Sequence, residues 1–235
     1  TTSLDPLVAE LVGISLCGSA KEAYYLPVGH LDGEGNPLDN QLPLALVQKS
    51  LTPLFSNPEL PKLGHNLKFD LPILENHGLP LNGPLWDTMI ASYLLDPSRR
   101  SQKLDDLCLE MLGKRLTSFG EVTDNDKRSD SFAYVAPEAA KDYSCEDVIG
   151  AFLLWQRFRP QLKEFGLWEL FANLEMALVP ILVEMEQTGI TVDQGQLHHL
   201  SEDFGLQLAE LEKTIYVLAG EEFNINSTRQ LGEIL

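Results

Sequence analysis

Cysteine is scarce in this chain of 235 residues, which contains only Cys17, Cys108 and Cys145. The three are far apart in sequence and none belongs to a Cys-x-x-Cys pair. A disulfide-stapled domain or a cysteine zinc site needs paired or closely spaced cysteines. We therefore interpret all three as reduced thiols, which excludes both of those protein classes.

Positive charge is also scarce, with 17 Lys and Arg residues against 35 Asp and Glu residues and a net charge of -18. Broad electrostatic capture of nucleic acid requires a basic surface, so the composition argues against it. It does not exclude DNA as a substrate, because a metal-dependent nuclease gathers carboxylates where its metal ions sit. If DNA is bound, the positive charge must come from metal ions, a few local Lys and Arg residues, or another domain.

No long hydrophobic run is present. Glu175 and Glu184 interrupt the best candidate, residues 167–185, and a membrane span needs about 18 or more apolar residues. The first residues do not combine a basic start with an apolar core, so no secretory signal is visible. We expect a globular, cytoplasmic protein without a membrane partner.

The order of predicted strands and helices indicates an α/β fold. Residues 11–17 and 22–28 are rich in Val, Ile, Leu and Tyr and are joined by a Gly-Ser-Ala-Lys turn, which predicts a β-hairpin. The following pattern predicts a helix at 42–55, a strand at 62–64, a helix at 67–77, a strand at 85–87 and a helix ending at 95. Such alternation predicts a mixed sheet flanked by helices.

The second half of the sequence is predicted to be mainly helical. Helices are predicted at 103–112, 137–158, 167–187 and 193–219, with an irregular polar stretch at 117–131. Asp193 is the predicted N-cap of the last helix and Gly220 its predicted end. A composition shift near 159–166 predicts an α/β domain at 1–160 and a helical domain at 161–235.

Two short segments place a polar side chain four residues before an aspartate. These are Asn66 with Asp70 and Tyr143 with Asp147, and residues four apart on a helix share one face. Phosphodiester hydrolysis at two metal ions needs carboxylates to hold the ions and a hydroxyl near the attacking water. Each pair taken alone also fits an ordinary solvated helix, and Asp87 fits an ordinary N-cap.

The order of the segments around these pairs resembles a known family. Gly-His-Asn-Leu-Lys-Phe-Asp at 64–70, Asp-Thr-Met-Ile-Ala-Ser-Tyr-Leu-Leu at 87–95 and Tyr-Ser-Cys-Glu-Asp at 143–147 resemble the second motif, an internal segment and the third motif of the 3'-5' proofreading exonuclease domain of family A DNA polymerases. That domain belongs to the DnaQ-like, RNase H-like class. Segments at 173–180, 189–193 and 223–231 are similar to the start of the polymerase domain and its thumb.

The resemblance implies roles for four residues in hydrolysis. Asp70 and Asp147 would be ligands of two Mg²⁺ or Mn²⁺ ions. Tyr143 would orient the attacking water, and Asn66 would support the second motif. All four would belong to one catalytic site.

The resemblance also implies three contacts with the unpaired 3' end of DNA. Leu4 and Phe119 fall where the family packs apolar side chains against the terminal bases, and Phe69 flanks that site. Splayed bases are held by stacking and apolar contacts. For Phe119 the alternative is that it simply anchors a polar loop.

One part of the family pattern is not matched. The family's first motif, Asp-x-Glu, precedes a Thr-x-Ser-Leu-Asp stretch, and this sequence opens with Thr-Thr-Ser-Leu-Asp at 1–5. We expect a fragment of a longer, monomeric polymerase chain, in which Asp-x-Glu upstream would indicate an active proofreader and its replacement a relic. Without those carboxylates, Asp70 and Asp147 should hold hard divalent ions weakly, so we expect low exonuclease activity from these residues alone.

Two other functions are compatible with the same residues. A degenerate exonuclease fold could serve only as a structural or DNA-holding module, although the survival of Asp70, Tyr143 and Asp147 weighs against it. A stand-alone DnaQ-like nuclease acting on RNA ends would share the carboxylates. That alternative would leave residues 173–235 without a purpose.

Overall fold

The structure, a computed structural model, describes residues 1–126 and 131–235 and opens with a β-hairpin. Strands β1 (Gly13–Ser19) and β2 (Glu22–Pro27) pair antiparallel, with a register shift between Cys17 and Ser19. The predicted hairpin is confirmed. The turn takes only residues 20 and 21, so β1 extends two residues further than predicted.

A parallel strand pair follows. Strands β3 (Lys62–Gly64) and β4 (Leu85–Asp87) lie at the predicted residues, with Gly64 opposite Asp87. Parallel strands need a crossover connection, and helix α2 provides it. The flanking helices are α1 (Leu44–Phe55), α2 (Leu67–Asn76) and α3 (Thr88–Leu95). One antiparallel and one parallel pair with flanking helices confirm the predicted mixed α/β fold.

The region predicted as irregular at 117–131 contains short helices. Helix α4 (Leu104–Leu112) is followed by α5 (Phe119–Val122) and by a 3-10 turn at Ser131–Tyr134. The prediction missed α5, which forms because Ser118 and Glu121 make a capping box. Residues 127–130 of that stretch lie outside the described residues.

Helix α6 (Pro137–Glu164) is the longest helix described and lies at the centre of the fold. It packs against β1, β2, β3, α3 and α4. It continues beyond the predicted end at Phe158, because Leu162 is fully buried one turn further on and extends the apolar face. Pro137 occupies the first turn, as predicted.

The predicted helix at 167–187 is present but interrupted. It consists of α7 (Trp168–Leu170), one π-helical turn (Phe171–Glu175) and α8 (Met176–Thr188). Phe171 in the π turn is fully buried. A π turn inserts an extra residue and so changes which side chains face the core.

An aromatic cluster joins these last helices to the α/β core. The rings of Trp86 and Trp155 stack at 5.7 Å, and Phe171 lies 5.9 Å from Trp86. Trp168 contacts all three rings. The first compact unit therefore extends through Thr1–Thr188, past the predicted division at residue 160. As an assignment of family domains, that division stays a prediction.

The second compact unit is Gly189–Leu235. It contains α9 (Gln194–Ala219) and α10 (Thr228–Ile234). The predicted ends of α9 are confirmed, since Asp193 accepts a hydrogen bond from the backbone N–H of Gln196 at 2.9 Å and Gly220 has φ of 79°. The apolar stripe of α9 is solvent-exposed for most of its length.

Within the described ranges, no single helix is both long and apolar enough to cross a membrane. The helices Pro137–Glu164 and Trp168–Thr188 meet the length and composition test only as a pair bent by 118°.

Candidate functional site

Asn66 and Asp70 lie at the N-terminal end of α2. Asn66 is the residue before the helix and has φ of 66°, in the left-handed region that few residues other than glycine adopt. The prediction that both residues share one helical face is therefore wrong for Asn66, because α2 begins at Leu67. Asp70 lies in the first turn, where unpaired N–H groups favour negative charge.

The carboxyl group of Asp70 has an unusual pKa. Burial raises the pKa to about 7, and the charge of Asp87 acts in the same direction. A carboxyl that titrates near neutral pH marks a position where negative charge is costly without a cation. Asp70 is therefore a candidate ligand for a cation.

Tyr143 and Asp147 meet on α6, as their spacing predicts. The Tyr143 hydroxyl interacts with the Asp147 carboxylate. Burial raises the pKa of Asp147 to about 7, with Asp105 adding to the rise and Tyr143 opposing it. Burial and the nearby charge of Asp147 raise the pKa of Tyr143, so its phenol is protonated at neutral pH.

One carboxylate oxygen of Asp147 is not engaged in this arrangement. Its Oδ1 atom is buried and has no hydrogen-bond partner among residues 1–126 and 131–235. Buried polar atoms are almost always paired, and an exception calls for a water, an ion or a functional role. The orphaned oxygen is therefore a candidate ligand for a cation.

Phe119 connects to this pair through a stack of aromatic rings. Its ring stacks on Phe132 at 6.0 Å and an interplanar angle of 20°, and Phe132 lies 5.7 Å from the ring of Tyr143. Phe119 itself is 45% exposed. It both anchors its loop and presents ring surface to solvent, so the two alternatives stated for it are compatible.

The loop before Phe119 is tied to α6 next to Asp147. The N–H and hydroxyl of Thr117 donate to Glu146 Oε2 at 3.0 and 2.9 Å. From its place beside Asp147 on α6, Glu146 could belong simply to a solvated helix face. The hydrogen bonds show instead that it holds the Phe119 loop close to the Tyr143 and Asp147 pair.

Leu4 and Phe69, the other residues expected at a DNA end, differ in exposure. Leu4 is 93% exposed and makes little contact with the fold. Phe69 is partly buried and packs against the core cluster that contains Ala9 and Leu11. Phe69 is thus a fixed part of the surface, whereas Leu4 is accessible to a ligand.

The predicted site residues fall into two groups. Tyr143, Asp147 and Phe119 are linked by the contacts just described. Asn66 and Asp70 form a second group around Asp87. Across residues 1–126 and 131–235, no three His, Cys, Asp or Glu side chains are arranged to hold a metal ion.

Two titratable neighbours of the site were missed by the sequence reasoning. Asp105 on α4 raises the pKa of Asp147, and burial also raises its own pKa. His65 has its Nδ1 atom 2.9 Å from the Thr88 hydroxyl, and burial lowers its pKa. His65 adjoins Asn66 in the second motif, a signal that could have marked it, whereas Asp105 reaches the site from a separate helix.

Comparison with known proteins identifies the family. Residues 1–163 match the model of a family described as 3'-5' exonuclease, the exonuclease domain of family A DNA polymerases. The chain belongs to this family. The match includes both predicted motifs and ends near the C-terminus of α6.

Curated relatives agree with that family. DNA polymerase I of Rhizobium leguminosarum is 37% identical over 249 residues, which cover 100% of this chain and 24% of that protein. DNA polymerase I of Chloroflexus aurantiacus is 36% identical, again over 100% of this chain and 24% of its own length. The chain thus spans about a quarter of the length of the curated relatives it matches.

A solved structure gives the same fold. The POL domain of Pol1 from M. smegmatis, in complex with DNA primer-template and dNTP, is 23% identical with a TM-score of 0.73, covering 96% of this chain and 34% of that one. At this level of identity the likeness shows the fold alone, and it agrees with the α/β unit followed by helices.

Proposed function

We propose that the chain supplies a 3'-5' exonuclease that removes nucleotides from DNA 3' ends by metal-assisted hydrolysis. The observation that carries this proposal is the Tyr143 and Asp147 pair, in which a buried carboxylate oxygen without a partner lies beside a protonated phenol. The pair lies within a match to a family described as 3'-5' exonuclease. The family supports the class of reaction, and the local geometry supports the residues.

Asp70 and Asp147 are the residues that would hold Mg²⁺ or Mn²⁺, two ions in the intact family site. The raised pKa of each carboxyl and the orphaned Oδ1 of Asp147 both fit an oxygen-seeking divalent cation. When bound, such ions polarise the phosphate and activate water. Mg²⁺ is usually held by one or two carboxylates together with waters and substrate phosphates. We therefore expect weak binding to these residues alone and tighter binding with DNA.

Tyr143 orients water rather than removing its proton. A tyrosine hydroxyl is neutral at physiological pH, and the upward shift in the pKa of Tyr143 does not change this, so the hydroxyl can donate one hydrogen bond and accept another. Asp147 fixes the hydroxyl from within the same helix. Asn66 supports the second motif through its backbone, whose N–H donates to Asp87 Oδ1 at 3.1 Å.

The aromatic and apolar residues would hold the DNA end. The exposed part of Phe119 can stack on a base while Phe132 supports the ring from behind. Leu4 can wedge against a neighbouring base, with Phe69 flanking it. Unpaired 3' ends offer base faces for this mode of binding, whereas duplex ends do not.

We further propose that these residues work within a longer, cytoplasmic and monomeric polymerase chain, in which 161–235 begin the polymerase domain and contribute thumb helices. The support is that the curated DNA polymerase I relatives match all of this chain with a quarter of their own length. The net charge of -18 also implies that the remainder of such a chain supplies much of the positive charge that DNA requires.

A catalytically inactive, DNA-holding module is the second candidate. The observation that favours it is that the described part of the chain brings no three metal-ligating side chains together. In that case Phe119 and Leu4 would still contact DNA, and the carboxylates would have no chemical role.

A nuclease assay separates the two candidates. A protein containing these residues is incubated with 5'-labelled single-stranded DNA and Mn²⁺ or Mg²⁺, alongside Asp147→Asn, Tyr143→Phe and the control Asp142→Asn. Asp142 is exposed on the same helix and paired with Lys141. We expect metal-dependent shortening from the 3' end, unchanged in the control and reduced by about 100-fold or more in Asp147→Asn, because that variant loses a metal-binding charge.

The same assay has an outcome that would reject the exonuclease proposal. DNA binding without metal-dependent shortening, with equal affinity in all four proteins, would reject the exonuclease proposal and favour the DNA-holding module.

A further inference from the structure

Asp87 has more hydrogen bonds than an N-cap needs. It is 1% exposed and lies at the end of β4. As the N-cap of α3, its Oδ1 accepts from the N–H of Met89 at 2.8 Å and of Ile90 at 3.4 Å. The same carboxylate also accepts from a second helix, through the N–H of Asn66 at 3.1 Å and of Leu67 at 2.7 Å. One side chain therefore closes the N-terminal ends of both α2 and α3.

The four hydrogen bonds are divided unequally between the two carboxylate oxygens of Asp87. Oδ1 accepts hydrogen bonds from the N–H groups of Asn66, Met89 and Ile90, whereas within the described ranges Oδ2 accepts only from the N–H of Leu67. The Leu67 bond is the shortest of the four and lies at the first residue of α2. The first residue of α2 is therefore tied to Oδ2, whereas Asn66, the residue before α2, shares Oδ1 with the first turn of α3.

Thr88 strengthens the same connection. Its hydroxyl lies 3.0 Å from the carbonyl oxygen of Gly64 and 2.9 Å from His65 Nδ1. Gly64 pairs with Asp87 across the parallel strands. The loop from Gly64 to Asn66 is thus held by side chains from the end of β4, and this accounts for how Asn66 is kept in its left-handed conformation.

We propose that Asp87 is the positioning residue that fixes Asn66 and the first turn of α2, and thereby the carboxylate of Asp70, for the exonuclease reaction. The inference rests on the function proposed above, because Asp70 matters only if it holds a metal ion. Asp70 lies one turn beyond Leu67, so a shift or rotation at the start of α2 moves its carboxylate directly. Groups that orient metal ligands in this way typically affect metal affinity or activity by about 10- to 100-fold.

The substitution Asp87→Asn tests the hydrogen bond from Leu67 to Oδ2 separately from the hydrogen bonds to Oδ1. An amide has one accepting oxygen, and that oxygen can occupy the Oδ1 position and still cap α3. The amide nitrogen then faces the N–H of Leu67, two donors meet, and the Leu67 bond is lost, while the amide oxygen can still accept from the N–H of Asn66. Asp87→Ala removes both connections. Leu162→Ala is the stability control, because Leu162 is fully buried on α6 and lies about 20 Å along that helix from Asp147.

Four measurements are made on each purified protein. Amide hydrogen exchange compares the protection of Leu67 with that of Met89, and the carboxyl NMR signal of Asp70 reports its surroundings without any metal. Mn²⁺ titration in the presence of single-stranded DNA gives metal affinity. Shortening of 3' ends gives kcat and KM for DNA separately.

For Asp87→Asn we expect at least 10-fold faster exchange at Leu67, little change at Met89, a shifted Asp70 signal, and Mn²⁺ affinity and kcat lower by about 10-fold with unchanged KM. Leu162→Ala should lower stability and change none of these. The proposal is overturned if Asp87→Asn keeps Leu67 protection, the Asp70 signal and Mn²⁺ affinity while losing only stability, as the control does.

If the unaltered longer chain that contains these residues neither binds Mn²⁺ in the presence of DNA nor shortens DNA, the proposed function fails. Leu67 exchange and the Asp70 signal then still show whether Asp87 places this segment.

Discussion

Phe132 offers a sharp test of how the DNA-end residue and the hydrolytic residue are connected. Its ring is 6% exposed and lies between Phe119 at 6.0 Å and Tyr143 at 5.7 Å. Phe132→Leu keeps an apolar side chain but removes the ring pairs with Phe119 and Tyr143, each of which contributes about 0.5–1.5 kcal/mol. It also removes a tilted contact with the His30 ring at 6.3 Å. We expect an extra loss in the free energy of unfolding of about 1–3 kcal/mol from those two pairs.

Phe158→Leu is the matched control for this loss. Phe158 is 1% exposed, and no other aromatic ring among the described residues is paired with its ring. Urea titration gives the difference between the two variants, and shortening of single-stranded DNA gives the rate per folded molecule. A small displacement of Tyr143 should slow Phe132→Leu by about 10-fold or more, because misplacement by about 1 Å can cost 100-fold. Equal stability losses and equal rates in the two variants would refute the reasoning.

The two candidate metal-binding carboxyls predict a pH dependence. Their folded pKa values of about 7 exceed the ordinary 3.8, so the folded state binds more protons between those values, and the free energy of unfolding without metal should fall as pH rises through that window. Mn²⁺ should restore thermal stability more at pH 7 than at pH 5, since it binds the deprotonated forms; equal effects at both pH values would contradict this. Lys68 lies 2.6 Å from Glu186 and both are partly exposed, so Lys68→Met should cost less than about 1 kcal/mol, with a smaller loss at high salt in paired urea titrations. Ser118→Ala removes the cap of the short helix that carries Phe119, worth about 1 kcal/mol, and should weaken binding of a single-stranded 3' end in fluorescence anisotropy, whereas Ser227→Ala, which uncaps α10, should not.

The sequence predicts the parallel strand pair and its helices well for local reasons. Gly78 follows α2, Asp87 has the side chain of an N-cap, and Pro97 follows the end of α3, so each boundary has its own chemical signal. The Tyr143 and Asp147 pair is likewise local, because residues four apart on a helix meet whatever else the chain does. These are the parts of the fold and site that need no knowledge of distant contacts.

What the sequence could not predict depends on residues far apart in the chain. The second role of Asp87 comes from N–H groups about 20 residues earlier, and the tie between Thr117 and Glu146 joins a loop to a helix. Helix α6 extends beyond its predicted end because tertiary packing buries Leu162. By contrast, the Ser-x-x-Glu signal of α5 is local and could have been found.

The aromatic cluster gives this chain a built-in optical probe. All three tryptophans, Trp86, Trp155 and Trp168, belong to it, and residues 189–235 contain none. Tryptophan emission therefore reports the unfolding of the Thr1–Thr188 unit and does not report on the helices that follow. Far-ultraviolet circular dichroism reports on the helices of both units. A difference between the two unfolding curves would therefore resolve the stability of each unit without any label.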